Sequence, residues 1–261
     1  NTNLTFLYMK KYYLFICIIA LIISSCAFDS DGSSGGSSTG DNSSTARFNI
    51  YKEKLYTVDN QNIHTFDISN PSEIKYESLT KVGWDIETIF AYNNNLFLGA
   101  RHGMYIYPLD EEGMPTNSVY TSHFDGRDPV VAQGDYAYVT VAYTTSGELF
   151  VYSVKDISNP VLLYNYQMTN PKGLSADNNL LFVCDEGVKV FKIGNNSELE
   201  EIYYLNEERL LAYDLIAKDG ILYVIAKNGL HQYQYSFDEE NSDFTITKLG
   251  DKPIEYNNDS E

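Results

Sequence analysis

The chain repeats a short apolar–aromatic segment five times, and this repeat decides the fold. The apolar residue that precedes each aromatic recurs at intervals of 41, 41, 44 and 41 positions. The segments are Leu55-Tyr56-Thr57-Val58, Leu96-Phe97-Leu98, Ala137-Tyr138-Val139-Thr140-Val141, Leu181-Phe182-Val183 and Leu222-Tyr223-Val224-Ile225. A fixed period of this length indicates a repeat architecture, and β-branched and aromatic residues favour strands.

Each repeat contains the elements of a four-stranded sheet. An apolar run precedes each segment, turn-forming residues follow it, and a second aromatic series and a more polar run complete the unit. The second series is Phe66, Tyr107, Tyr152, Phe191 and Tyr233. Inner strands buried on both faces with a polar outer strand are typical of propeller blades. We predict an all-β β-propeller of five four-stranded blades over residues 46–251. The alternative is a β-solenoid or an open array, although five such units favour a closed ring.

Two of the segments that close the repeats are identical. They are Asp67-Ile68-Ser69-Asn70-Pro71 and Asp156-Ile157-Ser158-Asn159-Pro160, in which Asp and Ser can bond the backbone ahead and the residue before Pro leaves the helical region. With the apolar–aromatic strands, they resemble the LVIVD repeat family of bacterial surface lipoproteins. Blades one and three match that pattern, whereas the other three blades replace the closing segment. The resemblance implies a propeller that displays and binds more than one that catalyses.

The N-terminal segment is typical of a secretory signal peptide over residues 1–25. A basic start at Met9-Lys10-Lys11 precedes an apolar run that is too short for a comfortable membrane span. We interpret residues 1–8 as an upstream extension. The order Ile23-Ser24-Ser25-Cys26 resembles a bacterial lipobox. That resemblance implies cleavage before Cys26 and a membrane anchor formed by lipid, such as palmitate, on its thiol.

The residues around the folded region are polar. Residues 26–45 combine the predicted lipidated Cys with a Ser/Gly-rich stretch that cannot bury a core, so they indicate a flexible tether. Residues 252–261 form an acidic tail. Ala27, by resemblance to lipoprotein sorting, favours the outer membrane, and the acidic stretch after it resembles the surface-export tags of some lipoproteins. We expect a cell-envelope location, in the outer membrane and displayed at the surface.

Charge and cysteine content exclude several classes of function. The chain has 36 acidic and 18 basic side chains and a net charge of −18, which argues against nucleic acid as a partner. Cys17 leaves with the signal and Cys26 carries lipid, so only Cys184 remains and no intramolecular disulfide can form. The sequence contains none of the common metal-binding or nucleotide-binding motifs. We expect no cofactor, no metal and a monomeric propeller.

The sequence also predicts where a ligand would bind. Propellers bind ligands at one end of the central channel, near the start of each innermost strand. Counting back nine residues from each aligned apolar residue gives Ala46, Glu87, Asp128, Lys172 and Tyr213. With their neighbours, they predict a binding site made of Trp84, Glu87, Arg127, Asp128, Lys172 and Tyr213. An aromatic face beside carboxylates and Arg suits a small polar ligand or a sugar. Alternatively, Trp84 plugs a gap between blades and the charges are solvated.

Three functions follow from these observations. The first is non-catalytic binding of a protein or glycan at the envelope, and the second is a structural or assembly scaffold there. The third is a glycoside-active enzyme, which needs two carboxylates at a fixed separation. Glu87, Asp128 and Asp214 are candidates for that pair by position alone. We assign no catalytic residue.

Overall fold

The computed structural model describes residues 47–122, 129–207 and 210–254. Within these ranges the chain forms 20 β-strands and no helix, and therefore no helix that could cross a membrane. The predicted signal peptide, Cys26 and the tether lie outside the described residues, as do Arg127 and Asp128 of the predicted site.

The strands form five antiparallel four-stranded sheets, each built from four consecutive strands in chain order. Blade 1 contains β1 (Phe48–Tyr51), β2 (Lys54–Val58), β3 (Asn62–Asp67) and β4 (Lys75–Lys81), and blade 2 contains β5 (Ile86–Tyr92), β6 (Asn95–Ala100), β7 (Gly103–Pro108) and β8 (Val119–Ser122). Blade 3 contains β9 (Val130–Gln133), β10 (Tyr136–Ala142), β11 (Gly147–Ser153) and β12 (Val161–Met168). Blade 4 contains β13 (Pro171–Asp177), β14 (Leu180–Asp185), β15 (Val188–Ile193) and β16 (Leu199–Leu205), and blade 5 contains β17 (Ala212–Lys218), β18 (Ile221–Ala226), β19 (Gly229–Asp238) and β20 (Asp243–Pro253). The predicted all-β propeller with five four-stranded blades is confirmed.

Tight turns join the first and second strands of each blade. Asn93 and Asn94 turn between β5 and β6 with φ of 47° and 57°, and Asp219 and Gly220 turn between β17 and β18 with φ of 52° and 80°. Two successive left-handed residues suit the right-handed twist of a hairpin, and Asn, Asp and Gly adopt that conformation most readily.

The two identical closing segments adopt the same local structure. The Asp67 carboxylate accepts the Ser69 N–H at 2.9 Å and the Ser69 hydroxyl at 2.5 Å. Asp156 makes the same two bonds to Ser158, at 3.0 and 2.6 Å. Chiefly because of the Ser69 bonds, the pKa of Asp67 is lowered to about 2. The Asp–Ser bonds hold both turns locally, and in blade 1 the Asp67 carboxylate also accepts a hydrogen bond from Lys54 Nζ of β2 at 3.2 Å.

The core lies between neighbouring blades. The aromatic residue of the first series faces the following blade, whereas the apolar residue before it faces the preceding blade. Four of these aromatics are essentially inaccessible to solvent: Tyr56, Phe97, Tyr138 and Phe182. Full burial of one such side chain stabilises the fold by about 1.5–3 kcal/mol. Four interfaces of this kind connect blades 1 to 5 in order.

The outer faces of the first and last blades differ from these interfaces. In blade 5, Ile216 is 62% exposed and Tyr223 is 40% exposed, although Tyr223 occupies the aromatic position that is buried in the other blades. In blade 1, Phe48 is 64% exposed and Ile50 is similarly open. The described strands therefore leave the propeller open between blade 5 and blade 1, where the repeat length had favoured a closed ring.

Candidate functional site

Three of the predicted site residues lie at β-bulges, at equivalent positions of three blades. The pairing of β5 with β6 shifts between Ile86 and Thr88, which leaves Glu87 as the bulged residue. Tyr213 is bulged in β17 in the same way. In β13, Lys172 and Gly173 together lie opposite the single residue Cys184. Bulges of this kind redirect side chains and are frequent beside functional sites.

The bulges of blades 4 and 5 contact each other through Lys172 and Tyr213. The Lys172 ammonium lies 4.4 Å from the centroid of the Tyr213 ring, and Lys172 is only 9% exposed. A cation at this distance is attracted to the ring face, more strongly when it is desolvated. The Lys172 carbonyl accepts the Thr140 hydroxyl at 2.6 Å, so blade 3 fixes the bulge from its other side.

Asp214 completes the contact between these two blades. Its Oδ1 accepts the Leu215 N–H at 2.8 Å. A Cβ added to Gly173 would lie 2.3 Å from the same oxygen, so only glycine permits this approach. The Asp214 carboxylate is thus engaged with its own strand and packed on the neighbouring bulge. This geometry suits a carboxylate that stabilises the bulge.

Asp185 is a buried charged residue that sequence reasoning missed. It is 1% exposed and accepts the N–H groups of Thr169 and Asn170, at 3.0 and 2.6 Å. Its other oxygen lies 3.0 Å from Lys189 Nζ. The equivalent positions of blades 2, 3 and 5 hold Ala100, Val141 and Ala226. Blade 1 has Asp59 at this position, where it is exposed. An Asp in a slot that is apolar in three of the five blades was the available signal.

Cys184 lies directly before Asp185 and is fully buried. Burial raises the pKa of its thiol well above the usual value, and the nearby Asp214 carboxylate raises it further. A protonated, inaccessible thiol packs as a small apolar side chain and does not act as a nucleophile.

Trp84 stands in the loop between β4 and β5, and it is 71% exposed. The ring therefore does not fill a gap between blades. The next residue, Asp85, adopts a left-handed φ of 58°, and its carboxylate lies 3.8 Å from Arg101 Nη1. Gly83 lies so close to the Tyr105 hydroxyl that a Cβ there would approach it to 2.7 Å. The loop is thus packed against blade 2 while the indole faces solvent.

The described part of the site contains two groups of residues at one end of the blades. Trp84 and Glu87 lie at the entry of blade 2, and Lys172 and Tyr213 join blades 4 and 5. Arg127 and Asp128 fall in the gap between the described ranges. Among residues 47–122, 129–207 and 210–254, no group of three or more His, Cys, Asp or Glu side chains is placed to hold a metal ion.

Comparison with known proteins supports the fold. No family model matches the chain, and no curated protein matches it. Hsv2 from Kluyveromyces lactis is a structural neighbour with 14% identity and a TM-score of 0.55, over 80% of this chain and 74% of that one. A protein from Lactobacillus plantarum has 12% identity and a TM-score of 0.61, over 77% and 69% of the two chains. BamB from Moraxella catarrhalis has 12% identity and a TM-score of 0.52, over 72% and 57%. Their β-propellers share the blade architecture with this chain.

Proposed function

We propose that the protein is a lipid-anchored envelope protein of the LVIVD repeat type whose propeller binds a glycan without catalysis. One observation carries the binding proposal. The exposed Trp84 ring stands at the same end of the blades as the bulged residues Glu87, Lys172 and Tyr213. Protein sites for sugars combine an aromatic stacking face with fixed hydrogen-bonding groups. The open indole of Trp84 offers the face, and the Asp85–Arg101 pair at the same loop offers polar groups.

A glycan array tests this function. The probe is the full chain with Cys26→Ser, which removes the acceptor of the lipid. Trp84→Ala is expected to weaken binding about tenfold or more, because the stacking face is lost. Tyr76→Ala is the matched control, since Tyr76 is an exposed aromatic on the outer strand β4. Equal binding by both variants, or no glycan bound by the parent, would refute the proposal.

The anchor rests on the lipobox resemblance. We expect labelled palmitate to enter the protein in a bacterial host and to be lost in Cys26→Ala. Cys17→Ala is the control, because Cys17 lies in the segment that cleavage removes. Proteolysis of intact cells then tests surface display. Label that persists in Cys26→Ala would contradict the anchor.

The scaffold function is a second candidate, favoured by the exposed apolar faces of blades 1 and 5. Contiguous apolar surface of this kind marks an interaction site. The glycoside-active alternative stays a prediction. The Asp214 carboxylate, one of its candidate acids, accepts a hydrogen bond from its own strand and packs on Gly173.

A further inference from the structure

We propose that the outer face of blade 5 binds the outer face of blade 1 of a second copy, so that copies associate head to tail instead of remaining the monomer that we expected from the sequence. The blade-5 open face consists of Ile216, Tyr223, Ile225 and Leu230, which the strand register places on one side of the sheet. The blade-1 open face consists of Phe48, Ile50, Leu55 and Phe66. This inference does not depend on the glycan site.

The repeat itself shows what covers the blade-5 open face. Tyr223 is equivalent to four aromatics that are buried within the chain: Tyr56, Phe97, Tyr138 and Phe182. Each of these packs on the apolar residues of the following blade, for example Phe182 on the blade that carries Leu222 and Val224. The blade-5 open face is therefore shaped to contact another blade, on the side by which a blade packs against the one before it.

The blade-1 open face is the complementary half of the same interface. Its Phe66 is equivalent to the second-series aromatics that pack on a preceding blade: Tyr107, Tyr152, Phe191 and Tyr233, all buried. In blade 1, Phe66 is only partly buried and contacts Tyr76 edge to face, with centroids 5.5 Å apart. The two open faces are thus the two unpaired sides of an interface that the chain forms four times.

Blade 1 of the same chain is less suited to this role than blade 1 of a second copy. Closing the ring would require movement at one or more of the four interfaces between blades, whose aromatic residues are packed without solvent access, and such interiors resist deformation. A second copy covers both faces without rearrangement.

Two properties follow for the assembly. A head-to-tail contact uses different surfaces on the two copies, so it extends into longer assemblies unless the rotation closes a ring. The chains carry the same net charge of −18, whereas the paired faces are apolar. Added salt should therefore strengthen association, because it screens repulsion between the copies while the apolar contact remains.

The test uses two variants that each break one face of the full chain with Cys26→Ser. The blade-5 variant is Tyr223→Glu with Ile225→Lys, and the blade-1 variant is Phe48→Glu with Ile50→Lys. Both change exposed side chains, and circular dichroism checks that each variant keeps its β-structure. Leu162→Glu, on the exposed outer strand β12 of blade 3, is the control.

Light scattering of the separated species gives the decisive result. The Cys26→Ser chain and the Leu162→Glu control should show an average mass above that of one copy as the concentration rises from about 1 to about 200 µM. Each double variant should keep the mass of a single copy. A mixture of the two variants should form a complex of two copies and nothing larger, because one intact pair of faces remains. A single-copy mass for the unmodified chain throughout, or association of either variant with itself, would overturn the proposal.

Discussion

Phe182 and Tyr223 occupy the same position of two neighbouring repeats, yet they have opposite environments. Phe182 is buried between blades 4 and 5, whereas Tyr223 is open to solvent on the far side of blade 5. The local sequences and strand pairings are alike. The difference arises because blade 4 is followed by another blade, whereas none follows blade 5 among the residues that the structure describes. A repeat therefore specifies a strand, and the neighbour decides whether its apolar side chain belongs to a core.

The largest expected effect is the difference in stability between truncating Phe182 and truncating Tyr223. Phe182→Ala should lower the free energy of unfolding by about 3–5 kcal/mol, because Phe182 packs on Tyr235 and Phe244 and its removal leaves a cavity. Tyr223→Ala should change it by less than about 1 kcal/mol in the single-copy state. Urea unfolding followed by circular dichroism measures both. Equal losses would mean that blade 5 is covered on both sides.

A second pair of variants compares a buried with an exposed partner of Lys189. Asp185→Asn should lower the free energy of unfolding by about 2–3 kcal/mol, because it leaves Lys189 without its buried carboxylate partner. The loss is limited because Lys189 keeps some contact with solvent. Glu201→Gln, at 3.8 Å from the same ammonium but half exposed, should cost less than about 0.5 kcal/mol. Thermal and urea unfolding give the two values. A larger loss in Glu201→Gln would contradict the role assigned to Asp185.

The covered aromatics also predict sensitivity to alkali. Burial raises the pKa of Tyr56 to about 12, and its hydroxyl donates to the Gly113 carbonyl at 2.7 Å. Since the unfolded tyrosine ionises near pH 10, this stabilisation is complete below pH 10 and is lost as the pH rises towards 12. The loss should reach roughly 2 kcal/mol by pH 12.

Tyr56→Phe separates this contribution from the rest. The variant should be less stable than the parent at pH 8, and the difference should shrink between pH 10 and 12. Burial also raises the pKa of Tyr233 and of Tyr235, so part of the alkaline loss should remain in the variant. Unfolding curves measured at each pH check this. A constant difference between the two proteins would show that Tyr56 ionises as it does in the unfolded chain.

The smallest expected effect is that of a chelator. Neither the covered blades nor the open ones are expected to rely on a metal ion, so EDTA should leave the melting temperature unchanged. Thermal unfolding with and without EDTA, followed by circular dichroism, measures this. A chelator-sensitive melt would show that a metal contributes to folding.

The sequence predicted most of the fold, because periodic apolar and aromatic residues determine strands locally. The aligned aromatics identified the inner strands of all five blades, and the identical Asp-Ile-Ser-Asn-Pro segments form the same turn. The repeat could not predict that the propeller is open between blades 5 and 1, because Tyr223 and Phe182 are equivalent in sequence.

For the candidate site, the sequence predicts the shared position of three residues, and the predicted binding role stays a proposal. Counting along the repeat placed Glu87, Lys172 and Tyr213 at one level of the blades, where the structure has bulges. The cation–π contact between Lys172 and Tyr213 depends on packing between blades, which spacing does not encode. Asp185 was not predicted, because the repeat positions that define the predicted site lie on the first strand of each blade, whereas this residue ends the second.

Hydroxyl-radical footprinting of equivalent tyrosines tests the central claim most directly. The sample is the full chain with Cys26→Ser as its only substitution, isolated as a single copy. The readout is the oxidation rate of Tyr56, Tyr138 and Tyr223. Tyr223 should be oxidised about tenfold faster than Tyr56 and Tyr138, because it alone lies on an open face. Equal protection of all three tyrosines in a single copy would show that blade 5 is covered by its own chain, which would contradict the account.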